Sequence, residues 1–305
     1  GVFEAPQIDL EQLRSVVSWR LSPAQGGAPA NFEVKLSDTS FANQDAKGTL
    51  QGSWQTGEGA ARLPGSIKLQ GELTRAKADR VWRYLPDVIS ADARSYLRHA
   101  LKDGEAEHVT FLADGPLVDF PFKDDKGGRF RVVVPAKKVK LDYVPASLGA
   151  GSWPPFTSLD GEVRFEGQRM VIKGAKAHVG GIGSGGFSLH HVDGGIEDLG
   201  SSQPHLRLQG QGQGLLSDML HFLAASPIGE WSGHVMSQAQ ASGTGTMNLA
   251  LDIPLNQADD TKVQGDVTLT ERDGAQLRLQ PGLPNFADLR GKIAFTESKL
   301  DVQAN

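Results

Sequence analysis

The sequence predicts a mostly β protein, in which an elongated antiparallel sheet is built of repeats and a few short α-helices are inserted. Three observations predict this fold class. Apolar and polar residues alternate along many short segments, glycine is abundant at 37 of 305 residues, and similar segments recur along the chain. The formal net charge of −5 gives no reason to expect nucleic acid as a partner.

The alternation is clearest in TMNLALDIPL, where every second residue from Met247 to Leu255 is apolar. IKLQGEL from Ile67, LRLQGQG from Leu206 and KVQGDVTL from Lys262 show the same period of two. Successive side chains of a strand point to opposite faces of a sheet. Each segment is therefore predicted to be a strand with one apolar face and one polar face, as in antiparallel sheets with one solvated side.

Three helices are predicted between the strands. SADARSYLRHALKDG has Ser90 as a candidate N-cap and Gly104 as a candidate end. ADRVWRYL precedes it and stops at Pro86. GLLSDMLHFLAASP predicts a third helix from about Leu215 to Ala225.

Related segments recur at offsets of roughly 130 to 139 residues, which indicates an internal repeat. The segment from Ile67 resembles that from Leu206, and each precedes a helix. SLDGEVRFEGQRMVI resembles DLRGKIAFTESKLDV, and FEVKLSDTSF occupies the place of MVIKGAKAHV. We expect residues 1–62 to end a preceding β repeat, 63–200 to form one repeat with helices near 76–103, and 201–305 to form a following, truncated repeat.

Stacked repeats of this kind predict an elongated sheet rather than two globules. The strand pattern alone leaves open whether the sheet closes, packs on another layer or stays open as a trough. The first and last residues also read as parts of longer segments, so we expect the chain to be a piece of a longer protein.

The stretch HVGGIGSGGFSLHH contains Gly181, Gly183 and Gly186 at the spacing of a dinucleotide-binding loop. Such a loop requires a helix to begin at its last glycines. Here FSLHH follows with the alternation of a strand. The stretch is therefore predicted to be a glycine-rich reversal between two strands, and no cofactor is expected.

His190 and His191 are adjacent, so on a regular strand they are expected to point to opposite faces and not to bind one metal together. No H-x-x-x-H pattern occurs, the chain has no cysteine, and neither a G-x-S-x-G elbow nor a P-loop lysine is present. We expect no metal site, no catalytic residue and no enzymatic activity.

Large apolar residues cluster near the helices, and they admit two interpretations. They either pack in a core under each helix or form an apolar surface for a ligand with long apolar chains. The set is Trp82, Tyr84, Leu85, Trp153, Phe156, Met219, Phe222 and Leu223.

One long segment carries a family resemblance. It runs from LPGSIKLQGEL through YLP (Tyr84 to Pro86), ARSYLRHAL and GPLVDFPF (Gly115 to Phe122) to WPPFTSLDGEVRF. This segment resembles the YhdP family of AsmA-like proteins, and GLLSDMLHFLAASPIGEW resembles the family's next repeat. The resemblance covers nearly the whole chain and is clearest from Leu63 to Leu255.

The resemblance implies a bridge-like lipid transfer protein: a curled, open β-groove that carries phospholipid acyl chains across the periplasm toward the outer membrane. It implies an inner-membrane anchor in a part of the parent protein outside this sequence, and contacts with both membranes through such parts. The alternative is a non-enzymatic scaffold or assembly factor for outer-membrane biogenesis, with a closed packed core.

The residues expected to line the groove are those that alternate inward on the predicted strands. They are Leu69, Leu73, Val109, Phe111, Val132, Val134, Phe165, Leu208, Leu249, Leu251, Ile253, Val267, Leu269 and Phe295.

Overall fold

The computed structural model describes residues 4, 7–24, 30–57, 62–86, 89–123, 127–145, 154–180, 186–225, 238–257, 260–269, 274–278, 280, 282, 284–296 and 299–304. Its strands are β1 (Gln12–Ser22), β2 (Asn31–Ala42), β3 (Ala46–Gln55), β4 (Ser66–Lys77), β5 (Leu101–Ala106), β6 (Val109–Pro116), β7 (Arg129–Leu141), β8 (Phe156–Glu166), β9 (Arg169–Val179), β10 (Phe187–Ile196), β11 (His205–Leu215), β12 (Gln240–Ser242), β13 (Thr244–Pro254), β14 (Lys262–Leu269), β15 (Ala275–Arg278), β16 (Phe286–Leu289), β17 (Gly291–Thr296) and β18 (Leu300–Ala304). The α-helices are α1 (Ala91–Ala100) and α2 (Leu216–Ala224), and 3₁₀ helices span Ala78–Tyr84 and Leu117–Asp119.

Fifteen strands form one antiparallel sheet, in which neighbours in the sheet are mostly neighbours in the chain. Strands β5 and β6 both lie between β4 and β7, and β12, β15 and β16 form a separate small sheet. The large sheet begins at β1 and ends at β18, so the described strands form a curled sheet and not a closed barrel. The predicted mostly β, antiparallel fold class is confirmed.

Cross-strand partners share one face of an antiparallel sheet, so the register defines the two faces. Val132 on β7 pairs with Phe165, which pairs with Met170 on β9. Farther along the sheet, Leu208 on β11 pairs with Leu251 on β13. The face that carries these residues, here called the inner face, is apolar and runs in register from β1 to β17.

The opposite face, here called the outer face, is polar, and charged or polar residues pair across its strands. Lys68 is the partner of Asp114, and Asn248 is the partner of Asp266. Arg131 Nε lies 3.2 Å from a carboxylate oxygen of Glu166. The period-two alternation of the sequence therefore separates an apolar from a polar surface, as the pattern predicts.

The order of elements recurs along the chain. Strands β2, β3 and β4 lead to a helical segment and then to β6, β7 and β8, while β9, β10 and β11 lead to α2 and then to β13, β14 and β17. The resembling segments from Ile67 and Leu206 fall on the counterpart strands β4 and β11. The division of the chain after residues 62 and 200 stays a prediction.

Helices α1 and α2 begin within one residue of their predicted starts, and α1 ends earlier than predicted. Ser90 caps α1, since its side-chain oxygen accepts a hydrogen bond from the Ala93 amide at 3.2 Å. Helix α1 ends at Ala100 and not at Gly104, because Leu101–Ala106 pairs as β5 with β7. Strand pairing therefore overrides the local helical pattern here. The segment before α1 is a 3₁₀ helix, and α2 matches its prediction within one residue at each end.

Candidate functional site

The inner face is the candidate functional site, and the register brings all of the predicted lining residues onto it. Leu73 pairs with Val109 on β6, and Phe111 pairs with Val132 on β7. In the second half of the sheet, Val267 is the partner of Met247. The predicted set thus forms one surface that extends across the strands, although its members differ in exposure.

In the first half, which we call the open region, the inner face spans β2 to β8 and is largely half-buried. Leu69, Leu73, Phe111 and Val132 are all in this intermediate class. Val109, which is 6% exposed, is a buried exception. Apolar side chains of the open region therefore remain accessible along much of its length.

In the second half, which we call the covered region, the inner face spans β9 to β17, and α2 packs against a buried cluster on β9, β10, β13, β14 and β17. Val267, Leu269 and Phe295 are only 6%, 5% and 3% exposed. They belong to one core cluster with Leu216 of α2 and Ala275 of the small sheet. The covered region is locally a two-layer structure.

Helix α2 holds this position through one apolar stripe. Leu216, Met219, Phe222 and Leu223 are all buried, and the Phe222 ring meets that of Phe187 edge to face at 5.1 Å. Burying a side chain of this kind contributes about 1.5–3 kcal/mol, so four of them contribute about 6–12 kcal/mol. The core interpretation is therefore confirmed for Met219, Phe222 and Leu223.

The 3₁₀ helix of the open region is held differently, through a polar network between the end of β2 and the start of β3. Tyr84 and Arg83 donate hydrogen bonds to one carboxylate oxygen of Asp45, at 2.9 and 2.7 Å. Asn43 Nδ2 donates to the Tyr84 oxygen at 2.8 Å, and burial raises the pKa of Tyr84. In α1 only Ala100 is buried. The 3₁₀ helix contacts β4 and β5. Leu69, Phe111 and Val132 on the inner face stay half-buried.

The motif GPLVDFPF forms a packed corner at the opposite ends of the strands. Phe122 is fully buried, and a Cβ on Gly115 would stand 2.8 Å from its ring. The Phe120 ring lies 5.8 Å from Phe122 and 4.9 Å from Phe130, edge to face in both pairs. The most specific motif of the sequence therefore serves packing, because the glycine makes room for a phenylalanine ring.

The glycine-rich stretch connects antiparallel strands. Val179 at the end of β9 pairs with Phe187 at the start of β10, and a strand, not a helix, follows Gly186. Gly181 and Gly183 lie outside the described residues, as does Trp153. The counterpart connection between β2 and β3 is a tight turn, in which Asn43 Oδ1 accepts hydrogen bonds from the amides of Asp45 and Ala46.

The expected orientation of the two adjacent histidines is wrong. His190 pairs with Gln211, but the next partners are Asp193 and Gln209, so a β-bulge interrupts the alternation. His191 adopts a φ of +52°, and the two rings lie 5.2 Å apart. The extra residue of a bulge places both side chains on the same side of the strand. Within the described residues, no three His, Cys, Asp or Glu side chains form a group suited to a metal ion.

The described helices include no segment that is both long enough and apolar enough to cross a membrane.

Comparison with known proteins places this architecture in a family. The profile of the YhdP protein family matches residues 1–305. The intermembrane phospholipid transporter YhdP of Escherichia coli (strain K12) is 28% identical over 225 residues, which cover 73% of this chain and 16% of that protein. No solved structure shows a significant match. Because the family profile spans the whole chain, the chain belongs to the YhdP family.

Proposed function

We propose that the chain is one length of a periplasmic bridge that conducts phospholipids along its inner face toward the outer membrane. The bridge is tethered to the inner membrane by a part of the protein outside this sequence. Family membership and similarity to the E. coli intermembrane phospholipid transporter support phospholipid as the cargo. The observation that carries the proposal is the apolar inner face, which continues in register across the sheet behind a polar, ion-paired outer face.

The physical reason lies in the cost of exposing acyl chains to water. Each CH₂ group that leaves an apolar environment costs about 0.8 kcal/mol, so a free phospholipid crosses an aqueous gap slowly. A continuous apolar face removes most of this barrier without binding one lipid tightly. Such conduction makes and breaks no covalent bond, so the proposal assigns no catalytic residue and no cofactor.

The alternative function, a scaffold or assembly factor with a closed core, is favoured by one specific feature. Helix α2 and the small sheet pack on part of the inner face of β13, β14 and β17. The open region favours the lipid path, because its half-buried apolar face is unsuited to a role as a packed core. The two functions therefore make opposite predictions for β4, β6 and β7.

Photo-crosslinking in living cells tests the proposal. A photoreactive amino acid at Leu69 or Phe111 is expected to capture phospholipid, because both side chains lie on the accessible inner face. Lys68 is the matched control, since it neighbours Leu69 on β4 but points to the outer face. Crosslinked lipid is identified by mass spectrometry of the purified protein.

Absence of lipid at both inner-face positions would favour the scaffold. Equal capture at Lys68 and Leu69 would contradict the assignment of the inner face as the path.

A further inference from the structure

Two rows of cross-strand partners run side by side over the inner face from β8 to β13. The first row consists of half-buried residues that are successive cross-strand partners, namely Val163, Ile172, Gly194, Leu208 and Leu251. The second row consists of Leu159, Ala177, Leu189, Gly212 and Met247. Leu251 and Met247 are four residues apart on β13, which separates the rows by about 14 Å at 3.4 Å per residue.

The second row leaves no room for a ligand. Ala177, Leu189 and Met247 are 6%, 8% and 1% exposed, and they belong to the same cluster as Met219 and Phe222 of α2. An acyl chain over this row would have to displace the helix. The four buried apolar side chains of α2 oppose such a displacement, so α2 acts as a fixed wall.

The first row stands apart from this wall. Ile172 and Leu208 are outside the buried cluster, and the half-buried Leu251 packs against it. Val263, the partner of Leu251 on β14, is 1% exposed and belongs to the cluster, so the row ends at β13. The row also continues from the open region, because Val163 pairs with Val134 on β7. An apolar chain lying on Val134 therefore meets an unbroken apolar surface through β9 and β11 to β13.

We propose that α2 confines phospholipid acyl chains, within the covered region, to this first row, which we call the acyl lane. The proposal rests on the proposed lipid-conducting function and adds its route. In the open region, chains contact the inner face broadly. In the covered region, they contact Ile172, Leu208 and Leu251 and are excluded from Met247 and Ala177.

Photo-crosslinking at matched positions on one strand tests the acyl lane. The experiment uses the protein expressed in its native organism with its natural termini. Photoreactive residues are placed at Leu251 and at Met247, which share strand, face and side-chain size class. Leu69 in the open region reports whether lipid is present at all. We expect capture at Leu69 and Leu251 and background signal at Met247.

A second measurement avoids a bulky photoreactive residue in the core at Met247, which can prevent folding. This sequence has no cysteine, so Ile172→Cys and Ala177→Cys on β9 each place a single thiol in it, and the unsubstituted protein measures background labelling. Cysteine is small and well tolerated in apolar cores. A maleimide carrying a long alkyl chain is expected to label the cysteine at position 172 and to leave that at position 177 unreacted.

The outcomes separate the lane from the function on which it rests. Equal signal at the lane and the covered positions would overturn the lane, since α2 would then leave the inner face. Capture at Leu69 with none at Leu251 would also overturn it, because the path would not follow the row. Absence of capture at Leu69 and Phe111 as well would instead refute lipid conduction.

Discussion

The open and covered regions share one strand order and one apolar face. They differ in whether the helical segment that follows β4 or β11 packs on that face. After β4, the chain forms a 3₁₀ helix and α1, and Ala100 is the one buried residue of these two helices. After β11, α2 folds back onto the sheet and joins its core. One short helix therefore decides whether a stretch of this sheet is an open surface or a closed core.

The helix sequences explain the difference. LSDMLHFLA places Leu216, Met219, Phe222 and Leu223 on one side, at the spacing of an amphipathic helix. ADARSYLRHA is also amphipathic, but Leu97 is its one large aliphatic side chain, and ADRVWRY is anchored by Arg83 and Tyr84. Apolar burial therefore fixes α2, whereas hydrogen bonds to a buried carboxylate fix the 3₁₀ helix.

The largest expected effect comes from removing the main anchor of α2. Phe222→Ala deletes a ring that is 4% exposed, and such a core truncation costs about 3–5 kcal/mol. The matched variant is Trp82→Ala, which removes a half-buried ring whose centroid lies 4.6 Å from the guanidinium carbon of Arg98. We expect it to cost about 1–2 kcal/mol. Denaturant unfolding of each variant measures the difference, and equal losses would contradict the distinction between the regions.

A smaller effect is expected from a buried hydroxyl on counterpart strands. Val267→Thr on β14 places a hydroxyl in a site that is 6% exposed, and its burial without a partner costs about 1–3 kcal/mol. Val132→Thr on β7 is nearly neutral, because this half-buried position lets the hydroxyl reach water. Thermal unfolding of the two isosteric variants compares the regions directly. A larger loss from Val132→Thr would mean that the open region is closed in solution.

The smallest expected effect is local. Asp45→Ala removes the acceptor that binds Arg83 and Tyr84, and this loss costs about 1–2 kcal/mol. Hydrogen exchange is expected to speed up in Ala78–Tyr84 and to stay unchanged in α2, which serves as the internal control. Faster exchange in both helices would show that the two regions are coupled rather than separately anchored.

Much of the fold follows from local pattern in the sequence. The alternation around Met247 to Leu255 predicts both faces of β13, and the stripe of α2 predicts the helix within one residue at each end. The end of α1 does not follow from local pattern, because the residues after Ala100 form their backbone hydrogen bonds with β7. The bulge at His190 and His191 is likewise set by the register of β10 against β11.

The candidate site, too, was predictable from the sequence only in part. Alternation places Leu69 and Val267 on one apolar face, but it does not show that Val267 lies under a helix while Leu69 stays accessible. A further signal was present, since the stripe of α2 had to pack against some apolar surface. Its location depends on contacts between residues far apart in the chain.

The sequence by itself determined the class of the fold, the separation of apolar from polar faces, the repeat and the family, because each is carried by local periodicity or by motifs. Only the tertiary structure decided which strands pair, where bulges reverse the alternation and which part of the inner face α2 covers. The physical reason is that alternation records the direction of each side chain, whereas exposure depends on what the rest of the chain places above it.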